Sequence, residues 1–137
     1  MNSEENKALV RQLAEDIDQK GSLDFIDKWF TPDYQAHFNG VDLDTAAFRE
    51  IYSGVLSAFS SMHHEIHFMV AENDLVTAVM TVHATHTGEW EGIAATGRTV
   101  SVADIAAFRF QDGKVAEEWV VVDMAGLKQQ LKAPSAD

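Results

Sequence analysis

The chain has 137 residues, a formal charge of −12 and no cysteine, which suits one domain with its own core and excludes disulfides, a thiolate nucleophile and cysteine-ligated zinc or iron–sulfur centres. The charge argues against nucleic acid, whose binding rests on neutralised phosphates, and favours a neutral or weakly polar ligand over an anionic one.

The N-terminus, MNSEENKALV, lacks a basic and apolar leader, and no apolar run reaches membrane-spanning length. A cytoplasmic protein without a membrane partner is expected. Ser3 can cap a first helix in which Leu9, Val10, Leu13, Ala14 and Ile17 recur at helical spacing, with Gly21 at its C-terminal cap. Ser22 opens a short second helix whose Phe25, Ile26, Trp29 and Phe30 are apolar, stopped at Thr31-Pro32. Tyr34 to Phe38 reads as extended and ends in the turn pair Asn39-Gly40. Asp44 can cap a third helix, Thr45 to Ser60, with Phe48, Ile51, Tyr52, Val55 and Phe59 on one face.

After Ser61 the period changes to two. His63 to Ala71 and Leu75 to Thr87 form one hairpin around Glu72-Asn73-Asp74, and Thr99 to Gln111 and Val115 to Asp123 form a second around Asp112-Gly113. GEWEGIAATGR between them reads as a bend or irregular edge. A last helix begins at Met124 and runs to Leu131. Helices first and long antiparallel strands after them predict an α+β fold: one domain over 1–132 with a loose tail over 133–137.

The candidate chemistry lies on the strands. Trp119, Val121 and Asp123 share one face of the last strand, which puts a carboxylate in apolar company, where its charged form is disfavoured. The alternative is that Asp123 simply caps the last helix, which would favour its charged form. Asp104 is a second such carboxylate, on a face with Val100, Val102, Ala106, Phe108 and Phe110. It can form an acid/base pair with another carboxyl or be neutralised by Arg98. His86 and His83 fall on opposite faces of their strand, which argues against joint metal ligation. His63, Glu65 and His67 share a face, but nothing adjacent completes a ligand set, so no metal is expected. His37 stands beside Phe38. Signatures for dinucleotides, nucleotide phosphates, zinc hydrolases and serine hydrolases are absent, which leaves cofactor-free chemistry.

In order along the chain, PDYQAHFNG, THTGEWEGIAATGR, DIAAFRFQDGKVAEEW and VVVDMAGLKQQL resemble the SnoaL-like polyketide cyclase (ester cyclase) family of the nuclear-transport-factor-2-like superfamily. The resemblance implies a cone-shaped, curved antiparallel sheet packed on three N-terminal helices, an α+β barrel of the cystatin-like kind, with a pocket inside. It implies homodimers or higher homo-oligomers built through the sheet. It also implies ring closure by intramolecular aldol condensation without metal or cofactor, with an aspartate matching Asp123 as acid/base. The family's histidine on the preceding strand is missing here; an ungapped comparison places it near Arg109, and His86 or His37 can take its place.

The resulting expectation is a cyclase or isomerase acting on a hydrophobic carbonyl compound. Asp123, His86, Asp104 and His37 are its candidate catalytic groups, and Trp119, Trp90, Phe108, Tyr34 and Arg98 its candidate substrate-binding groups. A non-catalytic ligand-binding or assembly module and a hydrolase or dehydratase are the alternatives.

Overall fold

A computed structural model describes residues 2–133, so the expected tail lies almost wholly outside the described residues. The first helix, α1 (Ser3–Lys20), is capped by Asn2 rather than Ser3: the Asn2 side chain accepts from the Glu5 N–H at 2.8 Å. Gly21 ends it in the left-handed conformation. The six-residue α2 (Asp24–Trp29) is too short to be stable alone. It is held by burial of Phe25, Ile26 and Trp29, each contributing roughly 1.5–3 kcal/mol.

Phe30 belongs to β1 (Phe30–Phe38), not to the helix before it, and the strand runs through Pro32. The pairing of β1 is interrupted between Phe30 and Gln35, so the missing proline N–H costs no ladder bond. The Asn39-Gly40 turn leads into a short strand the sequence did not reveal, β2 (Val41–Asp44). Asp44 caps α3 (Thr45–Ala58) as expected. The remaining strands are β3 (Phe59–Glu72), β4 (Leu75–His86), β5 (Thr99–Gln111) and β6 (Lys114–Val122), followed by α4 (Met124–Lys132).

The six strands form one curved, open sheet in the order β2-β1-β6-β5-β4-β3. The four long strands are antiparallel as expected, but β1 lies parallel to β6. These two are far apart in sequence, so no hairpin dictates their direction. One face of the sheet is covered, by α1 on β3 and β4, α3 on β1 and β2, and α4 on β5. Among the described residues no helix is long and apolar enough to cross a membrane.

Two irregularities in β3 set which of its residues face the helices. Its pairing with β4 shifts between Ser60 and His63, where Ser61 has a φ of 54°, and again between Ile66 and Phe68. Each extra residue reverses the alternation. Phe59 points inward, then Met62, His64 and Ile66, then Met69 and Ala71, while His63, Glu65 and His67 face out.

Candidate functional site

The covered face of the sheet and the helices over it line a partly open cavity of about 180 Å³. Its wall is almost entirely apolar. Phe108, Trp90, Phe48, Met80 and Val102 are among its residues, and Asp104, Glu118, His64 and Tyr52 are its titratable members.

Asp104 reaches the cavity because the alternation of β5 puts Val100, Val102, Asp104, Ala106, Phe108 and Phe110 on the covered face, as expected. Burial pushes its carboxyl above the usual range, opposed in part by His64. Its Oδ1 is buried without a hydrogen-bond partner among the described residues, a costly state for a polar group unless a ligand supplies one.

Glu118 enters from β6, where Glu118, Val120 and Val122 alternate inward. Its Oε1 accepts from the Tyr34 hydroxyl at 2.8 Å, a buried contact between strands adjacent in the sheet. Burial pushes its pKa up to about 7, although the Tyr34 hydrogen bond works against this by favouring the charged form. Asp104 pairs with Val122 and Phe108 with Glu118, so the two carboxyls stand four residues apart along the strands. At ~3.3 Å per residue their backbones are offset by about 13 Å. They face one cavity without forming a hydrogen-bonded dyad.

The other candidates are spread over the molecule. Asp123 is exposed, at the start of α4, where its Oδ1 accepts from the Gly126 N–H at 2.8 Å. That is the capping arrangement. His86 is buried; the Thr96 N–H donates to its Nδ1 at 3.2 Å, which puts the ring proton on Nε2, where it meets no partner among the described residues. His37 lies on the outer face, between Asp42 at 2.7 Å and Glu117 at 2.6 Å, and these carboxylates raise its pKa, Glu117 most. Arg109, near the expected position of the family histidine, pairs with the same Glu117.

Of the expected substrate-binding residues, Trp90 and Phe108 line the cavity. Trp119 does not: it faces out, is 39% exposed and stacks on His37. Tyr34 is buried behind Glu118, and Arg98 donates to the Gln130 carbonyl at 2.8 Å near the end of α4. Among the described residues no group of three or more histidine, aspartate or glutamate side chains is placed to hold a metal ion. Sequence reasoning missed Glu118 and His64. Glu118 shares a face of β6 with Val120 and Val122, but Trp119 and Val121 make the other face as apolar, and the alternation that turns His64 inward holds only between the two irregularities of β3.

A family model for SnoaL-like polyketide cyclases matches residues 8–131. Among solved structures, AclR from Streptomyces galilaeus, described as a candidate hydroxylase, is 32% identical over 98% of this chain and 100% of its own, with a TM-score of 0.89. TsrD from Streptomyces laurentii is 29% identical over 93% of this chain and 97% of its own, with a TM-score of 0.76. IdmH from Streptomyces antibioticus, a candidate polyketide cyclase, shares the fold at 22% identity over 92% of this chain and 97% of its own, with a TM-score of 0.80. A comparison with curated protein sequences gives no match.

Proposed function

The chain belongs to the SnoaL-like polyketide cyclase family, and from that premise we propose that it is a cofactor-independent acid/base enzyme. It enolises a small hydrophobic carbonyl compound inside the cavity and carries the enolate on to intramolecular aldol closure or isomerisation. One observation carries this reading: Asp104 lines an apolar cavity, and one oxygen of its carboxyl is buried without a hydrogen-bond partner among the described residues. A carboxyl whose charged form burial disfavours can, in its protonated state, donate to a carbonyl oxygen and stabilise the negative charge that develops there. Trp90 and Phe108 supply flat apolar wall. The size is that of a compact substrate, since cavities of ~150 Å³ already hold a benzene ring.

In this reading Asp104 takes the proton-transfer role that the resemblance assigned to Asp123, because it is Asp104 that lines the cavity. The test is solvent-deuterium uptake at the α-carbon of one-ring ketones, followed by proton NMR. Asp104→Asn is expected to lower the rate about a hundredfold or more, the usual scale for an acid/base group, whereas Asp123→Asn keeps most of it. The reverse ranking returns the role to Asp123. Saturable ketone binding without any uptake would identify a binding module instead. We also propose that the protein is a homodimer built through the outer face of its sheet.

A further inference from the structure

The wall of the cavity formed by α1 and β3 contains a histidine–carboxylate pair, His64 and Asp18. His64 is hydrogen-bonded twice to Asp18 of α1: its backbone N–H donates to Oδ2 at 2.8 Å, and its Nδ1 lies 2.6 Å from Oδ1. A carboxylate only accepts, so Nδ1 carries a proton, and in the neutral ring the Nε2 lone pair is left available. The imidazole is turned inward by the bulge at Ser61 and lines the cavity, with its side chain only 11% exposed. Asp18 is 15% exposed and opens on the other side to an outer cleft, where His63 Nδ1 lies 3.6 Å from its Oδ2. His64 lines that cleft as well.

We propose that Asp18 and His64 are the base of this active site: His64 Nε2 removes the α-proton of the bound ketone, and Asp18 fixes the tautomer and orientation that make this possible. This rests on the enolisation reading and supplies the partner that Asp104 lacks there. The carboxylate holding Nδ1–H and leaving Nε2 free is the arrangement by which imidazoles act as general bases.

The step balances within the chain and its substrate. The α-carbon proton passes to Nε2, giving imidazolium, while the C–H electron pair forms the enol double bond and the Asp104 carboxyl gives its proton to the oxygen. When the α-carbon attacks the second carbonyl, the enol oxygen returns its proton to Asp104. The new alkoxide takes the proton from Nε2, and both groups are restored. Asp18 changes no bond and is a positioning residue.

Its geometry gives a specific test. The Asp18 carboxyl faces two N–H groups, and the backbone N–H of His64 can only donate. In Asp18→Asn the amide oxygen must therefore turn to that backbone N–H, which aims the amide NH2 at Nδ1. Nδ1 then has to accept, and the ring proton moves to Nε2. Imidazole nitrogen NMR of the full chain reads this directly, with acetophenone as the added probe and its α-deuterium uptake as the activity. The expected results are an Nδ1–H tautomer in the wild type, an Nε2 resonance displaced by acetophenone, and an inverted tautomer in Asp18→Asn. Uptake should fall about a hundredfold in both His64→Gln and Asp18→Asn.

Wild-type uptake that His64→Gln leaves intact and Asp104→Asn abolishes overturns the dyad and leaves the proposed function standing. An Nε2–H tautomer in the wild type overturns the dyad whatever the activity. No uptake above buffer by the wild type defeats the proposed function and the dyad with it.

Discussion

Glu118 has a protonation state that folding itself changes. Its pKa rises from 4.5 to about 7 because burial penalises the carboxylate. Between those values the folded chain holds a proton that the unfolded chain has lost, so the protonated contact stabilises the fold fully below about pH 4.5 and this contribution disappears as pH rises through about 7. The linked free energy is on the order of 3 kcal/mol. Asp104 is shifted upward in the same sense by burial, and His37 by its carboxylate neighbours, so the wild type is expected to lose stability in urea titrations from pH 5 to pH 8. Glu118→Gln keeps an acceptor for the Tyr34 hydroxyl but cannot titrate, and its stability should fall less over that interval. Parallel curves would show that Glu118 ionises normally. Tyr34→Phe is expected to act the other way on the same group: it removes the hydrogen bond that favours the charged form, so the Glu118 carboxyl-carbon titration should move above its wild-type midpoint.

At the start of α4, Asp123 and Gly126 form one structural unit. The cap brings the carboxylate so close to Gly126 that a Cβ there would lie 2.2 Å from Oδ2. Asp123→Ala removes the cap and should cost about 1 kcal/mol. Gly126→Ala gains about 1 kcal/mol of helix propensity but pushes the carboxylate off its N–H, and so should be near neutral. With both changes the cap is already lost and the propensity gain remains, so the double variant should lie close to wild type, about 1 kcal/mol more stable than additivity gives. Thermal unfolding of the four proteins measures the coupling, and additive changes would remove the cap from this account. The same element marks where the sequence was legible and where it was not. The strand itself, its hairpin partner and the helix after it follow from period and turn residues. Which face of β6 is buried does not, because Trp119 and Val121 on the outside are as apolar as Val120 and Val122 on the inside. The inward group is identified by packing: α1, α3 and α4 cover one face, and Tyr34 offers Glu118 a partner there. On β5 the two faces differ, with Val100, Val102, Ala106 and Phe108 opposed by Ser101, Ala103 and Arg109. Asp104 was therefore readable as an inward carboxyl. His64 was harder to read, since β3 changes its alternation twice through bulges that no glycine or proline announces.

Over the whole molecule the uncovered face of the sheet is apolar along lines that cross several strands. Register places Phe68 opposite Val79, Val79 opposite Ile105 and Ile105 opposite Val121, a row from β3 to β6. Three of the four are large and exposed, Phe68 at 58%, Ile105 at 46% and Val121 at 64%. Val70, Thr77, Ala107 and Trp119 make the next row, with Val70 58% and Trp119 39% exposed. Contiguous apolar surface of this kind is what an interface between copies buries. Against it stands a charge of −12 on each chain, which repels a second copy until salt screens it over a Debye length of ~8 Å at physiological ionic strength. The two effects predict a distinctive response: sedimentation velocity should show a dimer whose dissociation constant falls as salt is raised, opposite to an assembly held by ion pairs. Val121→Glu adds a charge at the β6 end of the row, on its most exposed member, and should give a monomer, with the cavity on the other face of the sheet still taking up acetophenone. A wild type that sediments as a monomer at both low and high salt would remove the outer face as a self-association surface.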